Sequence, residues 1–196
     1  MITTQLMGAP DRLSVGLDDD LVLVQQAQHN KDAFAELYRR HAVRVYRYLL
    51  VRVGNVDDAQ DLTSQTFMAA MEGLPRFRQQ TPFVAWLLGI ARHKAADHFR
   101  ARRPEQDLQT AVALADHSES LDEVVGRTLQ MEMVTRKLHT ISPDRAEAVA
   151  LRLFAGLEVA EIARMMAKNE AAVRMLVFRG LRDLQAQSGL VEETKS

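Results

Sequence analysis

Between Gly156 and Gln185 the chain reads GLEVAEIARMMAKNEAAVRMLVFRGLRDLQ, a pattern suited to gripping duplex DNA. Val159, Ile162, Ala163 and Met166 recur at helical spacing, and a polar break follows at Lys168-Asn169. A second apolar stripe then runs through Val173, Leu176, Val177, Leu181 and Leu184. Two short helices sharing one small core across a tight turn leave the second helix free to enter a major groove. With the second stripe turned inward, Ala171, Arg174, Met175, Phe178 and Arg182 fall on the outer face of a helix that starts at Glu170. Arg174, near that start, has the bidentate chemistry to read a guanine edge, while Arg179 and Arg182 suit phosphates. An ordinary helical hairpin carrying solvated arginines fits the same residues.

A second stretch interleaves Phe77, Phe83, Trp86 and Phe99 with Arg78, Arg92, Lys94, Arg100, Arg102 and Arg103. Single-stranded DNA is held in this way, its bases stacked on rings and its backbone tracked by cations. The loop Pro75 to Pro82 lies between two helical patterns and offers a pocket for an unstacked base. Trp86 also stands at core spacing, and a half-buried ring can serve both roles. Enzyme chemistry finds no support. There is no nucleophile–base pair, Gly-rich phosphate loop or carboxylate pair with an enzyme's pattern, so no catalytic residue is assigned. His93 and His98 are five apart and miss the spacing that puts two ligands on one helix face, so neither metal nor cofactor is expected. Asp57, Asp58 and Asp61 gather where a helix begins, which favours either the helix dipole or a basic partner.

The elements that would position these groups are all helical. A weak stripe through Leu21, Val24, Gln25 and Gln28 ends at His29-Asn30. Asn30 is placed to cap a helix from about Lys31 to Val53, whose stripe is Phe34, Leu37, Tyr38, His41, Val45, Tyr48, Leu49 and Arg52. Gly54-Asn55 ends it. The spacing predicts a helix over 57–73 with Ala59, Leu62, Phe67, Ala70 and Met71 buried. Thr81-Pro82, read as a cap and first-turn proline, opens another helix to about Arg103. Helix resumes near Leu121 and reaches about Leu138, and Ser142-Pro143 starts one whose stripe is Ala146, Val149, Ala150 and Leu153, ended by Gly156. The fold class is all-α: two small helical bundles joined by an acidic linker, the second ending in a helix-turn-helix. The boundaries are a tail at 1–17, a first module at 18–103, a linker at 104–120, a second module at 121–187 and a tail at 188–196.

Charge is segregated although the net charge of the 196 residues is only -1. Residues 76–103 carry +6, residues 104–126 carry -6 and residues 164–182 carry +4. Two basic blocks flanking an acidic connector point to two anion-binding surfaces. Cysteine is absent, which excludes disulfides and thiolate metal sites and suits a reducing compartment. The N-terminus lacks a signal-peptide pattern, and the densest apolar run, Phe83 to Ala91, is too short to span a bilayer, so a cytoplasmic protein without membrane insertion is expected.

Together the two halves resemble the group-four, extracytoplasmic-function sigma factors of bacterial RNA polymerase, members of the sigma-70 family. The resemblance rests on DAFAELYRRH at 32–41, DDAQDLTSQTF at 57–67, PFVAWLLGIARHKAADHFR at 82–100 and the block 141–184, in that order. It implies a first module that binds core RNA polymerase through Asp58, Asp61 and Gln65. The same module would melt and read the minus-ten promoter element with Phe77, Arg78, Gln80, Trp86, His93, Lys94 and Arg100. The second module would read the minus-thirty-five element as duplex through Glu170, Ala171, Arg174, Phe178, Arg179 and Arg182. Core polymerase and promoter DNA are the implied partners, with an anti-sigma factor as a further candidate. The chain departs from the family pattern at His93, often Asn, at Ala167-Lys168-Asn169, often Gly-Ile-Ser, and at Met175-Leu176, often Ser-Arg. Further departures are Glu158 for a Ser cap, His29-Asn30 for Gly-Asp and Ser64 for Gln. Two other readings stay open: a helix-turn-helix regulator acting without polymerase, and a helical adaptor that binds only proteins.

Overall fold

The computed structural model describes residues 15–78, 80–106 and 133–192, with side chains described over 20–78, 80–101 and 133–187. Helix α1 is Val15–Ala27, α2 Lys31–Val53, α3 Val56–Gly73 and α4 Phe83–Gln106. Helix α5 spans 133–140, α6 is Pro143–Val149, α7 Val159–Met166 and α8 Glu170–Glu192. The described residues contain no strand. The expected linker and the start of the second module lie mostly outside the described residues. Helix α1 begins three residues inside the expected tail, α4 runs on to Gln106, and α8 continues to Glu192 rather than stopping at 187.

Local signals account for the helix ends. Asn30 accepts from the Asp32 amide at 2.8 Å and Asn55 from the Asp58 amide at 2.9 Å, each satisfying an otherwise unpaired first-turn donor. Gly54 turns left-handed at φ +73° and closes α2 through its amide to the Leu50 carbonyl. At the start of α4 the Trp86 amide reaches the Pro82 carbonyl at 3.1 Å, so Pro82 sits one position earlier than expected and itself caps the helix. Before it, Leu74–Arg76 forms a single 3₁₀ turn that buries Leu74.

The first module packs α2 against α1, α3 and α4 around Leu37, Val45, Tyr48, Leu49, Phe67, Phe83, Leu87 and Leu88. Burying side chains of this size supplies about 1.5–3 kcal/mol each. Asp20 of α1 pairs with His41 of α2 at 2.8 Å, and the His41 ring lies 5.6 Å from that of Phe83. A histidine can therefore occupy an apolar stripe because its polar edge is satisfied. Thr63 and Thr66, also buried, return their hydroxyls to the carbonyls four residues back. Met71, expected in the core, is 51% exposed; Thr63 and Thr66 take the inner face of α3 instead.

In the second module α6 gives way to one π-helical turn, Ala150–Phe154, in which the Ala155 amide bonds to the Ala150 carbonyl at 3.1 Å. The wider turn shifts the helical phase, and Leu153, expected inside, emerges 55% exposed. Gly156 follows at φ +62°, with the Arg44 guanidinium 3.0 Å from where a Cβ would sit. Helices α7 and α8 then form the helix-turn-helix on Leu157, Ile162, Ala163, Met166 and Val173. Gly180 of α8 lies so close to α6 that a Cβ would come within 2.7 Å of Val149.

Candidate nucleic-acid and polymerase interfaces

The turn of the helix-turn-helix is Ala167-Lys168-Asn169. Ala167 holds the left-handed conformation at φ +53°, so the geometry survives without glycine at a strain of about 1–2 kcal/mol. Its amide bonds to the Arg164 carbonyl, and the Lys168 amide to that of Ala163. Asn169 caps α8 by accepting from the Ala172 amide at 2.7 Å. Glu158, in place of a serine cap, has its own amide held by the Glu161 carboxylate at 2.7 Å. The recognition face emerges as expected: Glu170, Ala171, Arg174, Phe178, Arg179 and Arg182 are all exposed. Phe178 is 58% exposed on that face. Arg174 is held by Glu170 at 3.2 Å, one turn back.

In the first module the rings of Phe77 and Trp86 lie 4.7 Å apart, and Phe83 sits beneath both, at 6.1 Å and 5.8 Å. Trp86 is half-buried, which keeps both of its roles open: it braces the core and shows part of its ring. Arg78 and Gln80 are exposed in the adjoining loop, and His93 is exposed two turns along the Trp86 face. Lys94 is half-buried and rotated away from that face by its eight-residue offset from Trp86. Arg100 lies about 20 Å farther along α4, paired with Asp97. The structure thus gathers Phe77, Arg78, Gln80, Trp86 and His93 and leaves Lys94 and Arg100 apart.

Asp61 and Gln65, one turn apart on α3, are both exposed. Asp58 behaves differently. Its side chain is only 18% exposed and points at His98 of α4, 3.5 Å away. Asp58 therefore holds α3 to α4, and its expected role as a direct polymerase contact is not supported by its position.

Four residues meet between the modules: Tyr48 and Arg52, read from the sequence only as stripe residues, Arg92, read only as a cation beside the rings, and Glu147, which spacing did not single out. Glu147 of α6, 5% exposed, accepts the Tyr48 hydroxyl at 2.8 Å and faces Arg52 at 3.1 Å and Arg92 at 3.4 Å. Burial and the neighbouring Glu147 carboxylate hold the Tyr48 phenol well above its ordinary pKa. Arg92 also donates to the Met165 carbonyl at the end of α7. Arg44 donates to the carbonyls of Ala155 and Gly156. Its burial pulls the guanidinium below the usual arginine range, an effect opposed by the charges of Glu161, Asp20 and Glu158. Arg44, Tyr48 and Arg52 recur every four residues of α2, and polar residues at that spacing beside an apolar stripe were the signal available in the sequence. Among the described residues no cluster of His, Asp and Glu could hold a metal ion.

A helix-turn-helix with a bare recognition face, joined to an aromatic and basic helical module, defines a two-module DNA-reading protein. Comparison with known proteins gives its family. Residues 37–105 match sigma-70 region 2 and residues 131–184 match sigma-70 region 4. The ECF RNA polymerase sigma factor BldN of Streptomyces coelicolor is 40% identical over 166 residues, covering 83% of this chain and 63% of BldN. A probable RNA polymerase sigma-C factor of Mycobacterium bovis is 30% identical over 148 residues, covering 76% and 77%. The solved structure of CnrH in complex with the cytosolic domain of CnrY superposes with a TM-score of 0.69 at 25% identity, covering 87% of this chain and 97% of CnrH. The chain belongs to the sigma-70 family, in its extracytoplasmic-function branch.

Proposed function

We propose that this sigma factor divides its work along the two modules as follows. Asp61 and Gln65 on α3 meet core polymerase. The Phe77–Trp86 cluster, with Arg78, Gln80 and His93, captures melted minus-ten DNA, while Lys94 and Arg100 follow the strand's backbone along α4. Glu170, Ala171, Arg174, Phe178, Arg179 and Arg182 read the minus-thirty-five duplex. The modules are taken to extend over 18–103 and 121–187. The protein carries out no covalent chemistry of its own and works in the cytoplasm. No described helix is long and apolar enough to cross a membrane, which is consistent with that setting. An anti-sigma factor is a fitting regulator, as the family relative CnrH is seen bound to a second protein, the cytosolic domain of CnrY.

The observation that carries this reading is the coexistence of a part-exposed aromatic cluster on one module and a bare recognition helix on the other. Two different DNA forms, single-stranded and duplex, are served by those two surfaces. The test is transcription in vitro with core polymerase, with permanganate mapping of unpaired thymines. Melting centred on the minus-ten region supports the reading. Duplex binding without polymerase association would replace it with a free-standing regulator, and polymerase binding without melting with an adaptor.

A further inference from the structure

The outward face of α8 is apolar along its middle. At about 100° per residue, Val173, Val177, Gly180 and Leu184 turn toward the rest of the module, and the opposite direction falls on Ala171, Met175 and Arg182. Met175 is 47% exposed, and Phe178, three residues on, is 58% exposed. Ala171, one turn before Met175, is exposed as well. The three form a strip about 10 Å long on the helix. Arg174 borders it on one side and Arg179 on the other, with Arg182 at its far end, all three exposed. Beside Met175 a groove of about 580 Å³, lined also by Leu176 and Pro143, leaves the thioether room to swing.

The base edges in a major groove offer donors, acceptors and one apolar group, the C5 methyl of thymine. Arg174, Arg179 and Arg182 bring charge for phosphates and forked donors for guanine. Ala171, Met175 and Phe178 bring neither. Methionine has no hydrogen to donate, and its sulfur is a weak acceptor. A serine hydroxyl, frequent at position 175 in the family, could bond to several bases. The thioether cannot, but its unbranched chain shapes itself to an apolar partner. Cations on both flanks of the strip make a polyanion its fitting occupant. Duplex DNA combines that charge with an apolar group inside the groove.

We infer that Met175 and Phe178 read thymine methyls in the minus-thirty-five element, which makes Met175 a specificity-determining residue of this chain. Residues three apart on α8 advance about 4.5 Å along the axis, against about 3.4 Å for one base step. The two methyls therefore lie within three consecutive base pairs. The guanine read by Arg174 belongs to the same short stretch. The inference rests on the minus-thirty-five reading of α8, which it narrows from a surface to a chemical group.

Thymine without its methyl is uracil, so the contact can be removed from the DNA alone. The full chain with core polymerase first selects its upstream element from promoters randomised around minus thirty-five. Each thymine of the selected element, on either strand, is then replaced by deoxyuridine. At two positions within three consecutive base pairs this is expected to weaken binding about fourfold, the loss for one buried methyl. Met175→Ala and Phe178→Ala should each weaken binding to the thymine duplex and erase the uracil effect at one of those positions only. Both side chains are exposed, so circular dichroism should show folded protein. At the Met175 position, 5-methylcytosine should bind the parent about fourfold better than cytosine and give Met175→Ala no gain. A selected element without thymine, or indifference to uracil at every position, would overturn the inference while leaving the minus-thirty-five reading in place. So would a uracil effect that survives both substitutions, since the methyls would then act through DNA shape. A pool that enriches no upstream sequence would bring down the minus-thirty-five reading itself, and the inference with it.

Discussion

Arg174 leaves the recognition helix near its first turn, steadied by Glu170 at 3.2 Å but otherwise open to solvent. An exposed pair of this kind contributes little to stability, so the arginine can leave it for a base at small cost. Arg174→Ala is expected to weaken minus-thirty-five binding by about 1–3 kcal/mol on the cognate sequence and far less on scrambled duplex, as measured by anisotropy titration. Equal loss on both would reduce Arg174 to a phosphate contact. On α3 the two acids should separate in their effects. Asp61→Arg is expected to abolish co-purification with core polymerase while leaving the melting temperature unchanged. Asp58→Ala should instead loosen α3 from His98, lowering stability by about 0.5–1 kcal/mol in urea titration, with polymerase affinity largely kept. Spacing put Asp58 and Asp61 side by side as equals. Their difference depends on His98, forty residues away in the chain, and no local pattern carries that information. The recognition face was legible because a helix with one buried stripe fixes its opposite face.

At the scale of elements, caps and turns were the readable part. Asn30 and Gly54 bound α2 where the sequence placed its ends, and Asn169 caps α8 as expected. The misreadings share a cause. Leu153 and Met71 fit α-helical intervals, yet a π turn at 150–154 brings Leu153 outward, and the inner face of α3 is centred on Thr63 and Thr66, which leaves Met71 beyond its edge. Periodicity assumes a constant pitch and an apolar interior, and each element breaks one of those assumptions. Helix α6 is buried nearly all round, with Ala146, Glu147, Ala148 and Val149 each under 9% exposed, because it lies between the modules. Its contact with α8 depends on Gly180. Gly180→Ala would drive a methyl to 2.7 Å from Val149, and overpacking of that kind is expected to cost about 1–3 kcal/mol. Chemical denaturation followed by far-ultraviolet dichroism would measure it. A stability equal to or above that of the parent would mean that α6 and α8 have room to part.

For the whole molecule, the two-bundle all-α architecture was legible from composition, periodicity and segregated charge. The packing of one bundle on the other was not. It rests on Arg44, Tyr48, Arg52, Arg92 and Glu147, which read singly as solvated charges or stripe residues and acquire meaning only when brought together. A prediction at this scale separates the two DNA surfaces. The chain has no cysteine, and a Cβ built on Gly54 would lie 3.9 Å from that of Thr135, so Gly54→Cys/Thr135→Cys can lock one module on the other. Once oxidised it should keep minus-thirty-five duplex affinity within about twofold, because the exposed face of α8 is untouched, a shift of under about 0.5 kcal/mol. The same protein should lose promoter melting with polymerase until reductant is added. Duplex binding lost on oxidation would show instead that separation is needed for both surfaces. The π turn also bears on how the chain can be altered. One residue more than an α-helix needs is stored between α6 and Gly156. A π turn of this kind is the mark of a one-residue insertion into a helix. Loss of one residue inside it would let the turn close as an ordinary α turn with the helix-turn-helix aimed as before, whereas loss of one residue from a regular α turn would rotate everything downstream by about 100°. A graft that exchanges this module between relatives can therefore drop one residue at 150–154 without re-aiming it, but must keep the count elsewhere between Pro143 and Gly156.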